Sequence, residues 1–311
     1  MTLSLKLSAE GYVVIAILIV TLLLAVAIPD APSQVSPSGT TLFAGIIIFL
    51  LAAFVASLLY HPKEGQAVSD IFLIISLFVL SWEIAFGKLA LLDPMLFPGP
   101  ARVFAVFGND YALILKGLVN SLGLLGAGYA LALATAIPIG LYLGWKKRLF
   151  NAAYPIAKAI SPIPPTAYLP YTIVLLPTFA SASIFLIFIG AFWPILIGAV
   201  YGVHSIDHRL INSARTLGLS EKDMVKKVLF PGALPSIFSG AMIAFILSFI
   251  TLTVAEMLAA TSGLGWYIQY NHDFANYDKV VAGIIVVALV VIVLMYFFDR
   301  IQNYCLRWQT P

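Results

Sequence analysis

The chain has 311 residues, of which 61% are hydrophobic and only 10% are charged, and its net charge is +3 at pH 7. Soluble domains carry about a quarter charged residues, so the composition excludes a soluble protein and indicates an integral membrane protein. The cations cluster between apolar runs, so the charge does not indicate a nucleic-acid partner. The single cysteine, Cys305, excludes an intrachain disulfide framework and a thiolate metal cluster.

Apolar runs long enough to cross a bilayer recur along the whole chain. A transmembrane helix needs about 20 mainly apolar residues. The first run follows Lys6 and contains Ala25-Val-Ala27, which imitates a secretory signal peptide and its cleavage site, but we interpret it as a retained first span. The pattern predicts an all-α, multi-pass membrane protein with about eight transmembrane helices, at residues 12–28, 40–60, 70–92, 118–144, 152–176, 181–203, 235–258 and 280–298.

Cationic residues occur in alternate connecting segments. The segment from Pro29 to Thr40 has none, whereas the following one contains Lys63. Further cations lie in three later segments: Lys146, Lys147, Arg148, Arg209, Arg215, Lys222, Lys226, Lys227, Arg300 and Arg307. Because the positive-inside rule places cation-rich loops in the cytoplasm, both termini are predicted to be cytoplasmic. That arrangement requires an even number of spans, which agrees with eight.

The fourth span carries a small residue at every fourth position. These residues are Gly128, Ala132, Ala136, Gly140 and Gly144. Such a stripe allows helix backbones to approach closely in lipid. It predicts close packing within one subunit, with a helix that slides against its neighbours as the alternative. Pro138 lies in the same span and is expected to kink it.

The fifth candidate span is interrupted by prolines: Pro155, Pro162, Pro164, Pro165, Pro170 and Pro177. Broken helices survive at membrane depth only where they are buried in protein or line a cavity. We therefore interpret this stretch as the wall of a translocation path, with a kinked structural helix as the alternative. The predicted path residues here are Lys158, Ser161, Thr166, Tyr168, Tyr171 and Thr172.

Three further polar features lie within or beside the apolar runs. Glu256 lies near the end of the seventh span, and acids at membrane depth are functional candidates by default. It is assigned to the path, with a structural hydrogen bond to the Thr261–Gly265 turn as an equal alternative. Glu83 is interpreted as an interfacial or inter-helix contact. His204 and His208 have the spacing of a helical metal pair, but no third ligand is evident, so no metal site is predicted.

A polar interruption from His204 to Pro235 separates two of the apolar runs. Leu210, Ile211, Ala214 and Leu217 have helical spacing and predict one apolar face. Asp207 or Ser205 can cap this helix, and Gly218 can close it in a left-handed conformation. Ser220 and Asp223 resemble a capping box, which predicts a second short helix that ends near Pro231. An interfacial loop resting on lipid headgroups is the alternative interpretation.

The loop resembles the "EAA" signature of permease subunits of bacterial ABC importers. Ala214, Gly218 and the end Val228-Leu-Phe-Pro231 carry the resemblance, whereas Asn212 stands where the family usually has Glu and Ser213 where it has Ala. In that family the loop is a coupling helix that docks on the ATPase subunit. The resemblance assigns ATPase coupling to Asp207, Leu210, Asn212, Ser213, Ala214, Arg215, Leu217, Gly218, Leu219 and Pro231.

The resemblance extends over about residues 70–305. Ser161-Pro-Ile-Pro-Pro-Thr-Ala-Tyr-Leu-Pro170, Gly190-Ala-Phe-Trp-Pro-Ile-Leu196 and the stretch from Val254 to Gly265 are similar to a subfamily that imports nitrate, taurine, alkanesulfonates, bicarbonate and vitamin precursors. It implies the type I ABC importer permease fold for residues 67–311. Residues 1–66 then form an additional N-terminal transmembrane hairpin.

The implied function is the pore-forming permease subunit of an importer in the bacterial cytoplasmic (inner) membrane. The implied partners are cytoplasmic ABC ATPases, a second permease copy as a homodimer, and an external solute-binding protein. The chain has no G-x-x-x-x-G-K-[ST] loop, so it is expected to bind no cofactor and to be no enzyme, with ATP and Mg²⁺ on the partner ATPase. A stand-alone secondary transporter or channel is the alternative, although no repeated halves are evident. A membrane-embedded enzyme would need a catalytic cluster, and none stands out.

Overall fold

The computed structural model describes residues 9–60 and 65–308, and these form helices without a β-strand. The all-α class is therefore confirmed, while Lys6 and Lys63 lie outside the described residues. The helices are α1 (Ala9–Ala27), α2 (Pro37–Tyr60), α3 (Gly65–Trp82), α4 (Pro100–Asn109), α5 (Tyr111–Trp145), α6 (Lys147–Ile160), α7 (Leu169–Leu175), α8 (Phe179–His204), α9 (His208–Thr216), α10 (Glu221–Met224), α11 (Phe230–Ala259), α12 (Leu264–Asp273) and α13 (Tyr277–Cys305).

Seven helices in the described part of the chain are long and apolar enough to cross a membrane. They are Ala9–Ala27, Pro37–Tyr60, Gly65–Lys88, Tyr111–Trp145, Phe179–His204, Glu221–Ala259 and Tyr277–Cys305. Each overlaps one of the eight predicted spans. The remaining predicted span, 152–176, is broken, as its prolines indicate: α6 ends at Ile160, a 3-10 turn covers Pro165–Tyr168, and α7 follows.

The chain forms two compact units. The first contains the described residues up to 113 together with 270–285, and the second contains 114–269 and the described residues from 286 onward. The chain passes between the units within α5, α12 and α13. The two units do not divide the chain at residue 66, where the sequence analysis places the start of the permease core. That boundary is based on the extent of the family resemblance, and it stays a prediction.

The first unit is built around α1 and α2, whose apolar side chains Leu18, Phe43 and Phe54 are fully buried. A π-helical turn, Glu83–Lys88, extends α3. It places the Lys88 ammonium 2.6 Å from Asp30 and 3.0 Å from Glu83. Glu83 is thus a buried member of an ion-paired group in which Lys88 makes the link to Asp30, in the segment after α1. The ion pair of Glu83 itself lies within one π-helical turn, so its predicted role as an interfacial or inter-helix contact stays a prediction.

The second unit is organised by close packing of α8 against α11. Gly198 of α8 and Gly240 of α11 face each other, and a Cβ at Gly240 would lie 2.5 Å from the carbonyl oxygen of Pro194. The stripe of small residues predicted on α5 is also buried, and its glycines pack against α8. A Cβ at Gly128 would lie 2.7 Å from Ile187, and one at Gly144 would lie 2.7 Å from the Val200 carbonyl oxygen. This geometry agrees with packing within one subunit.

The second short helix of the polar interruption does not end near Pro231, so that prediction was wrong. α10 leads through a π-helical turn, Val225–Leu229, directly into α11, and the helical path runs from Glu221 to Ala259. Proline is tolerated in the first turn of a helix because the N–H that it lacks has no intrahelical acceptor there. The π-helical turn sets a new helix start at Phe230, so Pro231 begins α11 instead of ending the preceding helix.

Candidate functional site

The short helix α9 is fixed at both ends by local hydrogen bonds. The Asp207 side chain accepts a hydrogen bond from the Arg209 amide at 2.8 Å, so Asp207, not Ser205, is the N-cap. At the other end Gly218 has φ +71°, and its amide donates to the Arg215 carbonyl at 2.9 Å. The left-handed Gly218 predicted from the sequence is confirmed. Leu219 then donates to the Ala214 carbonyl, which completes the C-terminal turn.

The apolar residues of α9 divide between two faces. Ile211 and Ala214 are buried against a cluster that includes Val203 and Leu229. Leu210 and Leu217, one helical repeat of seven residues apart, are 61% and 79% exposed. The prediction of one apolar face for all four residues was wrong. The helix has an inner face that anchors it to the second unit and an outer face with two exposed leucines.

The other predicted coupling residues are distributed around these faces. Asn212 and Ser213 are exposed on α9, and the Arg215 guanidinium lies 5.4 Å from the centroid of the Trp145 ring. After Gly218, Ser220 caps α10 by accepting from the Asp223 amide at 3.2 Å, and its hydroxyl donates to the Asp223 carboxylate at 2.7 Å. The predicted cap by Ser220 is confirmed. The reciprocal half of a capping box is not formed, because the Asp223 carboxylate accepts from the Ser220 hydroxyl and not from the Ser220 amide. The loop is therefore a compact element with defined ends.

The broken stretch places one of its predicted path residues in a cavity. Ser161, at the end of α6, lines a space of about 410 Å³ that α6 shares with α8 and α11. The polar groups in its wall are hydroxyls, from Tyr154, Tyr201, Ser236 and Ser239 as well as Ser161. Sequence reasoning predicted Ser161 but missed the other four hydroxyl residues, although the Gly198 and Gly240 pair at which α8 and α11 meet could have located the cavity wall.

The remaining predicted path residues are less closely grouped. Lys158 is exposed, and its ammonium lies 5.5 Å from the centroid of the Tyr154 ring, which lines the cavity. Thr166 and Tyr168 lie in the 3-10 turn, where Tyr168 packs against the buried Leu169. Tyr171 is 72% exposed, whereas Thr172 is buried with its hydroxyl donating to the Leu169 carbonyl at 2.9 Å.

Glu256 is buried within the second unit, with 1% of its surface exposed. One carboxyl oxygen accepts from the Ser121 hydroxyl at 2.6 Å, and the other accepts from the Gly265 amide at 2.8 Å. The Ser121 oxygen also accepts from the Leu264 amide at 2.9 Å. The hydrogen bond to the 261–265 turn, one of the two alternatives for this acid, is therefore present.

His204 and His208 both line a space behind α9. The His204 ring stacks on Phe150, with 3.7 Å between the ring centroids. Among the described residues no group of three or more His, Cys, Asp or Glu side chains could hold a metal ion. Within residues 9–60 and 65–308, these two histidines therefore have no third ligand of these types to complete a zinc site.

Comparison with known proteins identifies the family. The family described as "binding-protein-dependent transport system inner membrane component" matches residues 136–309. A putative ABC transporter permease of Methanocaldococcus jannaschii is 31% identical over 75% of this chain and 90% of its own length. The taurine transport system permease of Escherichia coli is 30% identical over 79% and 92%. A nitrate import permease of Synechococcus elongatus is 33% identical over 63% and 74%.

A solved structure shows the same fold. The chain resembles a component of the MetNI methionine ABC transporter in an inward-facing conformation, with a TM-score of 0.55 and 20% sequence identity over 63% of this chain and 98% of that one. The fold is therefore that of a type I ABC importer permease. Together with the family match over more than half of the residues, this shows that the chain belongs to the inner membrane components of binding-protein-dependent transport systems and is an ABC importer permease subunit.

Proposed function

We propose that this chain forms the pore of an importer and moves a small solute by alternating access, driven by a partner ATPase. An external binding protein delivers the solute, and ATP and Mg²⁺ are held by the ATPase. A second copy of the chain completes the pore, because one coupling loop per chain serves one of two ATPases. The family match and the permease names of the relatives support this proposal. We further propose that residues 1–66 are an added hairpin and that residues 67–311 form the core.

The observation that carries the coupling proposal is the outer face of α9. Leu210 and Leu217 are largely exposed although Ile211 and Ala214 between them are buried. Burying a leucine stabilises an interface by roughly 1.5–3 kcal/mol, so two exposed leucines on a capped helix suit a docking contact. We propose that this outer face docks on the ATPase. The other residues assigned to coupling are Asp207, Asn212, Ser213, Arg215 and Leu219, with Gly218 and Pro231 setting the backbone. Of these, Asn212 and Arg215 lie on the opposite side of α9 from the exposed leucines, towards Trp145 and Lys147.

The test of coupling is co-purification with the cognate ATPase in mild detergent. The double variant Leu210→Ser/Leu217→Ser is expected to insert normally and to lose most of the bound ATPase, because the apolar contact is gone. The matched control is Lys222→Ala/Lys226→Ala, which removes two exposed side chains from the same loop and is expected to retain the ATPase. Equal retention by both double variants would show that the outer face of α9 is not the docking surface.

The cavity around Ser161 supports a proposal about the solute. Its wall offers hydroxyl groups and aromatic rings but, among the described lining residues, no charged side chain. The relatives are named for taurine and nitrate, and we propose a substrate in the same class of small anions and small organic solutes. Within that class, a neutral wall favours an organic solute over a bare inorganic anion, because an anion in a low-dielectric passage needs a nearby cation.

Uptake by proteoliposomes holding the full assembly tests this proposal. The wild-type chain is expected to take up organic solutes such as taurine or a vitamin precursor in preference to nitrate or bicarbonate. Ser161→Arg, which adds a cation to the cavity wall, is expected to shift the preference toward nitrate. Ala159→Arg adds the same cation outside the wall and should leave the preference unchanged. Saturable nitrate uptake without competition from organic solutes, in the wild-type assembly, would contradict the proposal.

A further inference from the structure

A second cavity lies behind α9, within the second unit. It has a volume of about 420 Å³ and is enclosed by the end of α5, the start of α6, the end of α8 and the inner side of α9. We call it the basic cavity, because its polar lining residues are Lys147, His204, His208, Asn212 and Arg215. Ligand sites in proteins occupy about 300–1,000 Å³, so this volume suits a small molecule or a single headgroup.

The charges of the basic cavity are not balanced by the residues that line it. Lys147 and Arg215 carry fixed positive charges, and none of the lining residues in the described structure is acidic. The carboxylates of the neighbouring loop are used elsewhere. Glu221 lies 3.5 Å from Lys146 and Asp223 lies 3.0 Å from Lys227, while Asp207 caps α9. Two cations, two imidazoles and an amide around one space therefore favour an anionic ligand.

Parts of the basic cavity are held in position without a ligand. Arg215 lies over the Trp145 ring at 5.4 Å, a cation–π arrangement that restricts the guanidinium. His204 is held against Phe150 by ring stacking. A guanidinium presents a rigid set of donors that matches phosphate and other oxyanions. The wall is thus partly ordered for an anion before one arrives.

The start of α6 adds a second favourable feature. α6 has 14 residues and begins at Lys147, beside the cavity. Within the described chain no side chain caps this helix start. Free N–H groups and the positive end of the helix dipole at such a start favour anions. The helix start and the cationic side chains therefore act in the same direction.

We propose that the basic cavity binds a small anion with a phosphate-like or other oxyanion group, at the junction of α9 with α5 and α6. A ligand there contacts α9 from the inner side, opposite Leu210 and Leu217. Binding would fix α9 relative to the transmembrane helices that meet it. The bound group comes either from a free anion in solution or from the headgroup of an anionic lipid, since both present the same oxyanion chemistry.

Calorimetric titration of the full chain in nanodiscs of zwitterionic lipid tests the proposal, with inorganic phosphate and sulfate as probes. We expect saturable binding at one site per chain. Lys147→Gln/Arg215→Gln is expected to weaken it at least tenfold, because both fixed charges are lost. Lys222→Gln/Lys226→Gln removes the same charge from the same loop outside the cavity and should bind as the wild type does. The single variant Lys147→Gln, at an exposed position, provides the same comparison if the double variant does not fold.

Repeating the titration in nanodiscs that contain phosphatidylglycerol distinguishes the two sources. If a lipid headgroup is the occupant, the wild-type chain should lose phosphate binding in these discs, because the lipid fills the cavity. The Lys147→Gln variant should then bind phosphate equally in the two kinds of disc. These two results together would support the proposal with a lipid headgroup as the occupant. Unchanged phosphate binding would support it with a free anion as the occupant. Absence of saturable binding in zwitterionic discs, or equal weakening by the two double variants, would overturn the proposal.

Discussion

A single carboxyl group, that of Glu256, joins three segments of the second unit. Its oxygens accept from Ser121 on α5 and from Gly265 at the start of α12, while Glu256 itself belongs to α11. Gly263 in the intervening turn has φ +125°, and a Cβ there would collide with the Glu256 carboxyl group. The turn is therefore shaped around the acid, and its glycine satisfies both the backbone angle and the close approach.

Replacement of Glu256 tests whether the acid is structural. Glu256→Leu leaves the Gly265 amide and the Ser121 hydroxyl without their acceptor, and each buried orphan costs about 1–3 kcal/mol. Glu256→Gln keeps one acceptor oxygen, so it is expected to lose less stability than the Leu variant. We expect thermal stability in detergent to fall in the order wild type, Gln variant, Leu variant. Glu221→Gln, at an exposed acid, is the control and should not change stability.

Transport by the Gln variant decides between the two roles of Glu256. A structural acid predicts that Glu256→Gln retains substantial uptake in the reconstituted assembly, in proportion to the folded fraction. Abolished uptake by a fully folded Gln variant would instead assign a gating role to the carboxyl group. The two measurements, stability and uptake, therefore separate the alternatives that the sequence leaves equal.

The residues of α9 show which features of single residues a sequence pattern predicts and which it does not. Caps depend on side chains close in sequence, so Asp207, Gly218 and Ser220 could be predicted. Burial depends on which neighbour each face meets, and helical spacing alone does not specify it. Leu210 and Leu217 follow the same periodicity as Ile211 and Ala214, yet only the latter pair meets the helices of the second unit.

At the scale of helices, small residues determine how closely α8 and α11 approach. A Cβ at Gly198 would lie 2.5 Å from the Ser236 carbonyl oxygen, and the reciprocal contact joins Gly240 to Pro194. Helix association in lipid depends on such close backbone packing because there is no hydrophobic driving force between spans. The two glycines are thus required by the distance between the helices rather than by their own backbone angles.

A methyl group at this crossing is expected to be costly. Gly240→Ala places a Cβ against backbone atoms that cannot rotate away, and overpacking of this kind costs about 1–3 kcal/mol. Gly126→Ala is the matched control, because a Cβ at Gly126 on α5 meets nothing within 4 Å. Ala is also favoured over Gly inside a helix. Thermal unfolding in one detergent should show a lower unfolding temperature for Gly240→Ala and no decrease for Gly126→Ala. Equal changes in the two variants would contradict the packing argument.

The long helices could be predicted from sequence because about 20 apolar residues suffice to identify a span. The break in 152–176 was also predictable, since prolines remove backbone donors. The short helices α4 and α12 were missed, because ten residues of mixed polarity give no comparable signal. The continuation of α10 into α11 was missed for a different reason. Pro231 normally marks a helix boundary, and the π-helical turn before it is not visible in the sequence pattern.

At the scale of the whole molecule, the distribution of charge bears on orientation. The predicted alternation did not include Lys88, Arg102 and Lys279, which lie outside the segments counted as cationic. In the structure these cations are paired within the first unit. Lys88 lies 2.6 Å from Asp30, Lys279 lies 2.8 Å from Asp110, and Arg102 lies 3.9 Å from Asp278. The charges of these three cations are locally balanced. Apart from Lys116 on α5 and Lys158 on α6, the other described cations lie in the loops proposed to be cytoplasmic and in the C-terminal segment.

Cysteine labelling in intact cells tests this orientation. In a Cys305→Ser background, single cysteines at Ser36 and Asn276 are expected to react with a membrane-impermeant thiol reagent. Both positions lie in connecting segments that the proposed topology places outside the cell. A cysteine at Ser220, an exposed position in the coupling loop, should react only after the cells are permeabilised. The permeabilised sample also serves as the control for accessibility at all three positions. Labelling at Ser220 in intact cells, with none at Ser36 and Asn276, would reverse the topology and place α9 out of reach of a cytoplasmic ATPase.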